Sequence, residues 1–161
     1  MPSDYMFLIQ GINGESQADG FTNWIDIESW NVGITNPSAL SGKGLAAGKP
    51  SLSDFTVSFT LEAGSFTMIA NCTKGTHVDN CTFVGRKTGG DAKPYTYLQI
   101  TFTNCFITNF ATGGGSQGVP PANLSLAYES ITYQYYTQDS ASGAVTLAGQ
   151  ATYDIKQVKA S

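Results

Sequence analysis

Apolar and polar residues alternate at period two through much of the chain, the signature of strands whose two faces see different surroundings. The clearest case is 53–62. Phe55, Val57, Phe59 and Leu61 share one parity there, with Asp54, Thr56, Ser58, Thr60 and Glu62 on the other. Such a run predicts a strand with one buried face. A short apolar run over 5–9 breaks at Gly11, Asn13 and Gly14 and resumes as an alternating run over 22–34. Trp24, Asp26, Glu28, Trp30 and Val32 fall on one side of that run, Ile25 and Ile27 on the other. A face mixing tryptophans with carboxylates suits a strand that meets a partner subunit or a layered wall better than one facing plain water.

Later runs read as strands over 78–87, 95–110, 123–138 and from 144 to 156. In the second, Leu98, Ile100, Phe102, Phe106 and Phe110 share a parity; the third is expected to carry a bulge near Glu129–Ser130. Only 65–74 reads as a helix. Ser65 is placed to cap it, Phe66, Ile69, Ala70 and Cys72 to form its apolar face, and Lys74 and Gly75 to end it. About seven strands and one short helix predict a mainly all-β domain spanning 1–161, an antiparallel barrel or sandwich. Between the second and third runs of the first half lies 35–50, rich in Gly, Ser, Ala and Pro. Leu40 and Leu45 stand at its tip with nothing local to cover them. Long insertions of this kind are usually functional, and an arm docking on another subunit would bury both leucines.

Composition narrows the functions. Charged residues make up 12% of the chain, about half the usual share of roughly a quarter, as is common in all-β domains and in subunits that bury much of their outside on assembly. A net charge of −4 with eight scattered cationic residues argues against nucleic-acid binding, which rests on phosphate neutralisation. The N-terminus has no basic, apolar leader pattern and no run is long enough for a membrane-spanning helix, so a cytoplasmic site of synthesis is expected. Cys72, Cys81 and Cys105 follow no metal-ligand spacing and read as free core thiols, although a bridge between two of them stays open. No cofactor motif occurs: Gly113–Gly115 lacks the Lys-Ser/Thr and helix of a phosphate loop. His77 with Cys72 or Cys81 could form a nucleophilic pair, and Asp26 with Glu28 an acid–base pair on one strand face. Neither has a supporting signature, and the chain is read as no enzyme.

The opening block also carries a resemblance. Gly11-Ile12-Asn13-Gly14-Glu15-Ser16, followed by Trp24-Ile25-Asp26-Ile27-Glu28-Ser29-Trp30, resembles the start of the Hcp (haemolysin-coregulated protein) family of bacterial type VI secretion. Glu129, Ile131 and Tyr133 resemble a late strand of the same family. The resemblance implies a two-sheet antiparallel β-barrel with one flanking helix and a long protruding loop. It also implies subunits that form homohexameric rings, stack into a tube and carry effector cargo in the lumen. Sheath and spike proteins would be the further partners, and export would proceed through the secretion apparatus without a signal peptide. No catalytic residue carries over. The protruding loop corresponds to Asn36, Pro37, Leu40, Gly42, Lys43, Gly44, Leu45 and Lys49, and the outward helix surface to Phe66, Ile69 and Lys74. The alternative from the residues alone is a monomeric β-sandwich that binds carbohydrate through Trp24, Trp30 and the tyrosines at 133, 135 and 136.

Overall fold

The computed structural model describes residues 3–41, 44–47, 49–87, 93–116, 118–156 and 159–160. The first half contains β1 (Ser3–Ile9), β2 (Ile25–Ile27), β3 (Ser29–Asn31), β4 (Ile34–Thr35), β5 (Ser38–Ser41), β6 (Gly44–Ala47), β7 (Ser51–Leu52) and β8 (Phe55–Thr60). Helix α1 (Gly64–Lys74) follows, then β9 (His77–Lys87), β10 (Tyr95–Thr112), β11 (Pro121–Gln138), β12 (Val145–Asp154) and β13 (Lys159–Ala160). All the strand pairs are antiparallel, in the order β13-β12-β11-β10-β9-β1-β2. Strand β11 is shared: Pro121–Leu126 pairs with β8, and Ser130–Gln138 with β12. Strand β3 pairs with β8 while β2 pairs with β1, and the Glu28 amide between them donates to the Ser58 carbonyl at 2.8 Å. That junction nearly closes the sheet into the expected barrel, with α1 packed against β10.

Two features of the run over 22–34 differ from the expected single strand. It is split at Glu28, and the bend reverses which parity points inward. Ile25 and Ile27 are buried before it, and Trp30 packs on the core after it. The tryptophans therefore do not share a face. Trp24 meets Phe21 edge-on at 4.8 Å, whereas Trp30 lies 4.9 Å from Phe83 and 5.9 Å from Tyr5.

A similar reversal runs across three neighbouring strands. Val78 faces the core, then Cys81 and Phe83; Ile100 and Phe102, then Cys105 and Ile107; Leu126 and Tyr128, then Ile131. The residues skipped, Asp79, Asn104 and Glu129, lie in one row, flanked by the pairs Thr103–Asn80 and Thr103–Ser130 on one side and Cys105–Val78 and Cys105–Tyr128 on the other. Asn104 adopts φ 52°, a conformation in which asparagine is tolerated better than most residues, and its amide donates to the Glu129 carboxylate. Phe106, expected inside, is turned out against the His77 ring at 5.4 Å. The bulge expected at Glu129–Ser130 is not there: the register runs unbroken from Thr103–Ser130 to Cys105–Tyr128, and shifts instead at Ile107/Asn109 with β10 and at Tyr135/Tyr136 with β12, so the fold line crosses the sheet without an inserted residue.

The helix differs in its buried face and its cap. Gly64, Ser65 and Met68 are buried, Cys72 packs beside them, and Phe66 is 65% exposed. Ala63, not Ser65, is the N-cap; Ser65 Oγ instead accepts the Glu62 amide at 3.0 Å. Gly75 ends the helix at φ 65°, as its position predicts, with Lys74 in the last turn. The arm is also more ordered than a plain loop. Strands β5 and β6 form a hairpin, Leu40 opposite Leu45, on a stem formed by β4 and β7. Gly42 and Lys43, the side chains of Leu40 and Leu45, and the exposure of Gly44 lie outside the described part of the arm; Asn36, Pro37 and Lys49 are exposed at its base.

Candidate assembly surface

The opening motif proves to be a packing device. The Gly14 amide donates to the Asn23 carbonyl at 2.7 Å and the Ser16 amide to the Trp24 carbonyl at 2.9 Å, folding 14–24 back on itself. A Cβ on Gly14 would run into the Trp24 carbonyl oxygen and lie 2.7 Å from its carbon. A Cβ on Gly64 would lie 2.6 Å from the Asn13 carbonyl oxygen, so loop and helix meet backbone to backbone. Glu15 Oε2 accepts the Ala63 amide at 3.4 Å beside the helix start, and Ser16 is buried. Gly11, at φ 86° with open space around it, makes the first turn. In the late strand Ile131 is fully buried, Tyr133 is half-buried against the core, and Glu129 also faces Lys156 at 3.9 Å.

Beside the motif, Glu15, Asp26, Glu28 and Glu62 line one cavity of about 250 Å³. Thr60 donates to Glu28 at 2.8 Å. Burial, then the neighbouring Glu15 and Asp26 charges, push the Glu62 carboxyl up to about 7. The protonated form is therefore favoured by folding. Its stabilisation is full below the ordinary value of 4.5 and is lost as pH rises through about 7. After allowance for the water on its open side, about 1 kcal/mol is at stake. Glu62→Gln is expected to melt above the unaltered protein at pH 8 and to show a flatter decline between pH 5 and 8. Parallel pH slopes for the two proteins would refute this.

His77, at the start of β9, lies on Phe106, while Cys81 and Cys105 are buried in the core, their mutual hydrogen bond and burial holding the Cys81 thiol far above its usual range. Asp26 and Glu28 flank the strand break, in the carboxylate cavity. The separated tryptophans provide no shared aromatic platform for a sugar.

What the surface does offer is exposed apolar area around the arm and the last hairpin. Ile34, at the arm stem, is 50% exposed. With Pro50, Tyr133, Ala151, Tyr153 and Ala160 it lines an open, mostly apolar groove of about 450 Å³. On the β11–β12 hairpin Tyr135, Val145 and Leu147 are exposed as well, and every residue over 145–151 is open to solvent. Strand β12 pairs along its length only with β11; among the described residues its other edge meets β13 at just Tyr153 and Asp154. Tyr133 and the arm bases were legible as surface candidates. Tyr135 was legible too, as one of the tyrosines of the sugar-binding alternative; Ile34, Val145 and Leu147 were missed, although the alternation at 144–150 was a usable signal.

The comparisons with known proteins agree with this geometry. A family model described as type VI secretion system effector, Hcp, matches residues 5–135. Among solved structures, Hcp1 from Salmonella typhimurium is 25% identical, with a TM-score of 0.79 over 99% of each chain. A type VI secretion system effector from Yersinia pestis is 28% identical, with a TM-score of 0.71 over 94% of this chain and 99% of that one. A structure described as a type six secretion system protein shares the fold at TM-score 0.90 and 20% identity, over 99% of this chain and 100% of that one. A search of curated proteins finds no match.

Proposed function

The chain belongs to the Hcp family of type VI secretion tube proteins, and from that premise we propose that it works as a self-assembling subunit of hexameric rings that stack into an export tube. The observation that carries this reading is the apolar groove at the arm root together with the bare β12 edge and the exposed Tyr135, Val145 and Leu147. Large apolar area beside an unpaired strand edge is a liability in a monomer and is ordinarily covered by a partner. A second copy offers the same groove, hairpin and arm, and contacts between unlike patches close into a ring when the rotation allows. The arm, stiffened as a hairpin, would reach from one ring to the next through Leu40, Gly42, Lys43, Gly44 and Leu45. The side of the helix that carries the exposed Phe66 and Lys74 and the half-buried Ile69 would face the surrounding sheath. Spike proteins and effectors would be the remaining partners. The role is structural rather than catalytic, and export would follow cytoplasmic synthesis.

The test is the solution mass by light scattering behind a sizing column. A mass of six times the 17.0 kDa chain is expected. A monomer at every concentration and salt would overturn the ring. Deleting 41–48 is expected to leave the melting temperature nearly unchanged and the ring intact, while abolishing stacked rings in electron micrographs. Unfolding of that variant would make the arm part of the fold instead.

A further inference from the structure

The junction at which the sheet nearly closes is lined by carboxylates. Glu15 of the folded-back loop and Asp26 of β2 stand on one side, Glu28 at the strand break, and Glu62 just past β8 on the other side. Among the described residues no lysine or arginine lines the cavity they share. The elements packed around Glu62 bring no counter-charge. The first turn of α1, Gly64 to Thr67, contains no charged residue, and neither does the 113–120 connection, whose Pro120 carbonyl accepts the Leu61 amide. Lys74 stands in the last turn of the helix. Asp4 and Arg86 share only the neighbouring cavity with Asp26.

The loop is held across this seam by few bonds. Glu15 Oε2 accepts the Ala63 amide at 3.4 Å, while the Gly14 and Ser16 amides donate to the carbonyls of Asn23 and Trp24. The Glu62 carboxyl lies against the same turn, since a Cβ on Gly14 would be 2.9 Å from its Oε1. Behind the loop are Met6 and Val84, buried yet outside the core cluster. Farther along the loop the Phe21 ring lies 4.9 Å from the Arg86 guanidinium carbon. A neutral Glu62 can stay in that partly enclosed position. An ionised one is set among three like charges with no cation to offset them. Its cheapest relief is to swing the flexible side chain out to water, which empties the seam and weakens the hold on the loop.

We propose that this seam is a pH-operated clasp: a protonated Glu62 holds the loop over 12–16 against the start of α1, and its ionisation lets that loop lift while the barrel stays folded. Burial and the facing Glu15 and Asp26 charges put the carboxyl at about 7 with the seam closed, against an ordinary 4.5. Because the closed seam binds the proton more tightly than the open one, closure is fully supported below the ordinary value. That support weakens as pH rises and is gone above about 7. The clasp goes beyond the ring reading and does not depend on it, because every group it uses comes from one chain.

The experiment is amide hydrogen exchange of the full-length protein at pH 5 and pH 8, read by mass spectrometry with fragmentation to single residues and corrected for the intrinsic pH dependence of exchange. Protection of the Gly14 and Ser16 amides is expected to fall about fivefold from the lower to the higher pH, the full linkage being reduced by water on the open side. At both pH values it is expected to lie about tenfold or more below that of the Ile100 and Phe102 amides in β10, since lifting a loop is a smaller opening than unfolding. In Glu62→Gln the fall is expected to vanish. Should that variant fail to fold, Asp26→Asn serves instead: it removes one facing charge and is expected to move the fall to lower pH. Protection that is the same at pH 5 and pH 8 would overturn the clasp, as would a fall that persists in Glu62→Gln or stays unmoved in Asp26→Asn. Protection of Gly14 and Ser16 equal to that of β10 would also overturn it, because the loop would then open only with the whole barrel.

Discussion

Phe55→Ala is expected to remove about 3–5 kcal/mol of stability, the usual cost of truncating a buried phenylalanine. For a chain of this length that is a fall in melting temperature of about 6–20 °C, at 2–4 °C per kcal/mol. Phe55 is fully buried and sits at the hub of the aromatic core. Its ring centre lies 4.6 Å from Phe102, 5.3 Å from both Phe7 and Phe83, and 6.5 Å from Trp30. Those rings come from β1, β3, β9 and β10, all around the barrel. Alanine would leave a cavity that none of them can enter without abandoning its own strand, so little of the loss is recovered by collapse. Trp30→Ala is expected to cost less, about 2–3 kcal/mol, because Trp30 is only half-buried and caps the cluster from one end. Thermal or urea melts of the two variants check the order. A Phe55→Ala melt within a degree or two of the unaltered protein would mean that the barrel centre is not packed as described.

Gly14→Ala is expected to cost about 3 kcal/mol, at the top of the range for forcing extra atoms into a packed site. The atoms its methyl group would strike are the backbone of Trp24, with Glu62 Oε1 2.9 Å away on the far side. The backbone cannot yield cheaply, because the Trp24 carbonyl accepts the Ser16 amide, whereas the Glu62 carboxyl is the end of a flexible side chain and can turn aside. The loop would have to lift, exposing Met6 and Val84 and drawing Phe21 off Arg86. Gly11→Ala is the informative control. Gly11 has empty space around it and only a positive φ to defend, so about 1 kcal/mol is expected. Melting both variants side by side separates the two causes; equal losses would refute the close-approach argument.

These two sites mark the boundary of what pattern reading can reach. The inward parity of Phe55, Val57 and Phe59 is written in their alternation, and the structure buries all three. The same rule failed at Trp24–Trp30 and at Phe102–Phe106. Both stretches cross a bend, and a bend reverses the face of every residue beyond it. At Glu28 the bend exists because β2 and β3 must pair with opposite walls of the barrel. At Asn104 it exists because Asp79 and Glu129 kink in the same row on the flanking strands. No local window contains either reason. The helix face was misread for a related cause: Phe66 is the bulkiest apolar residue of its turn, yet it is Gly64 that meets the Ile12–Asn13 loop backbone to backbone and Met68 that enters the core.

The candidate surfaces divide in the same way. The arm was visible as a Gly- and Ser-rich insertion carrying two uncovered leucines, and the opening motif as a spaced pair of glycines ahead of two tryptophans. That Arg86 lies under Phe21, that four carboxylates share a cavity, and that Ile34 joins Tyr133 and Tyr153 in one groove depend on contacts between distant parts of the chain. Strand content, the helix stop at Gly75 and family membership follow from the sequence itself, because backbone preference, side-chain periodicity and short motifs act over a few residues. Which face each strand turns inward past a bend, and which polar groups end up enclosed together, was decided only by closure of the barrel. There pairing partners distant in the chain override local alternation.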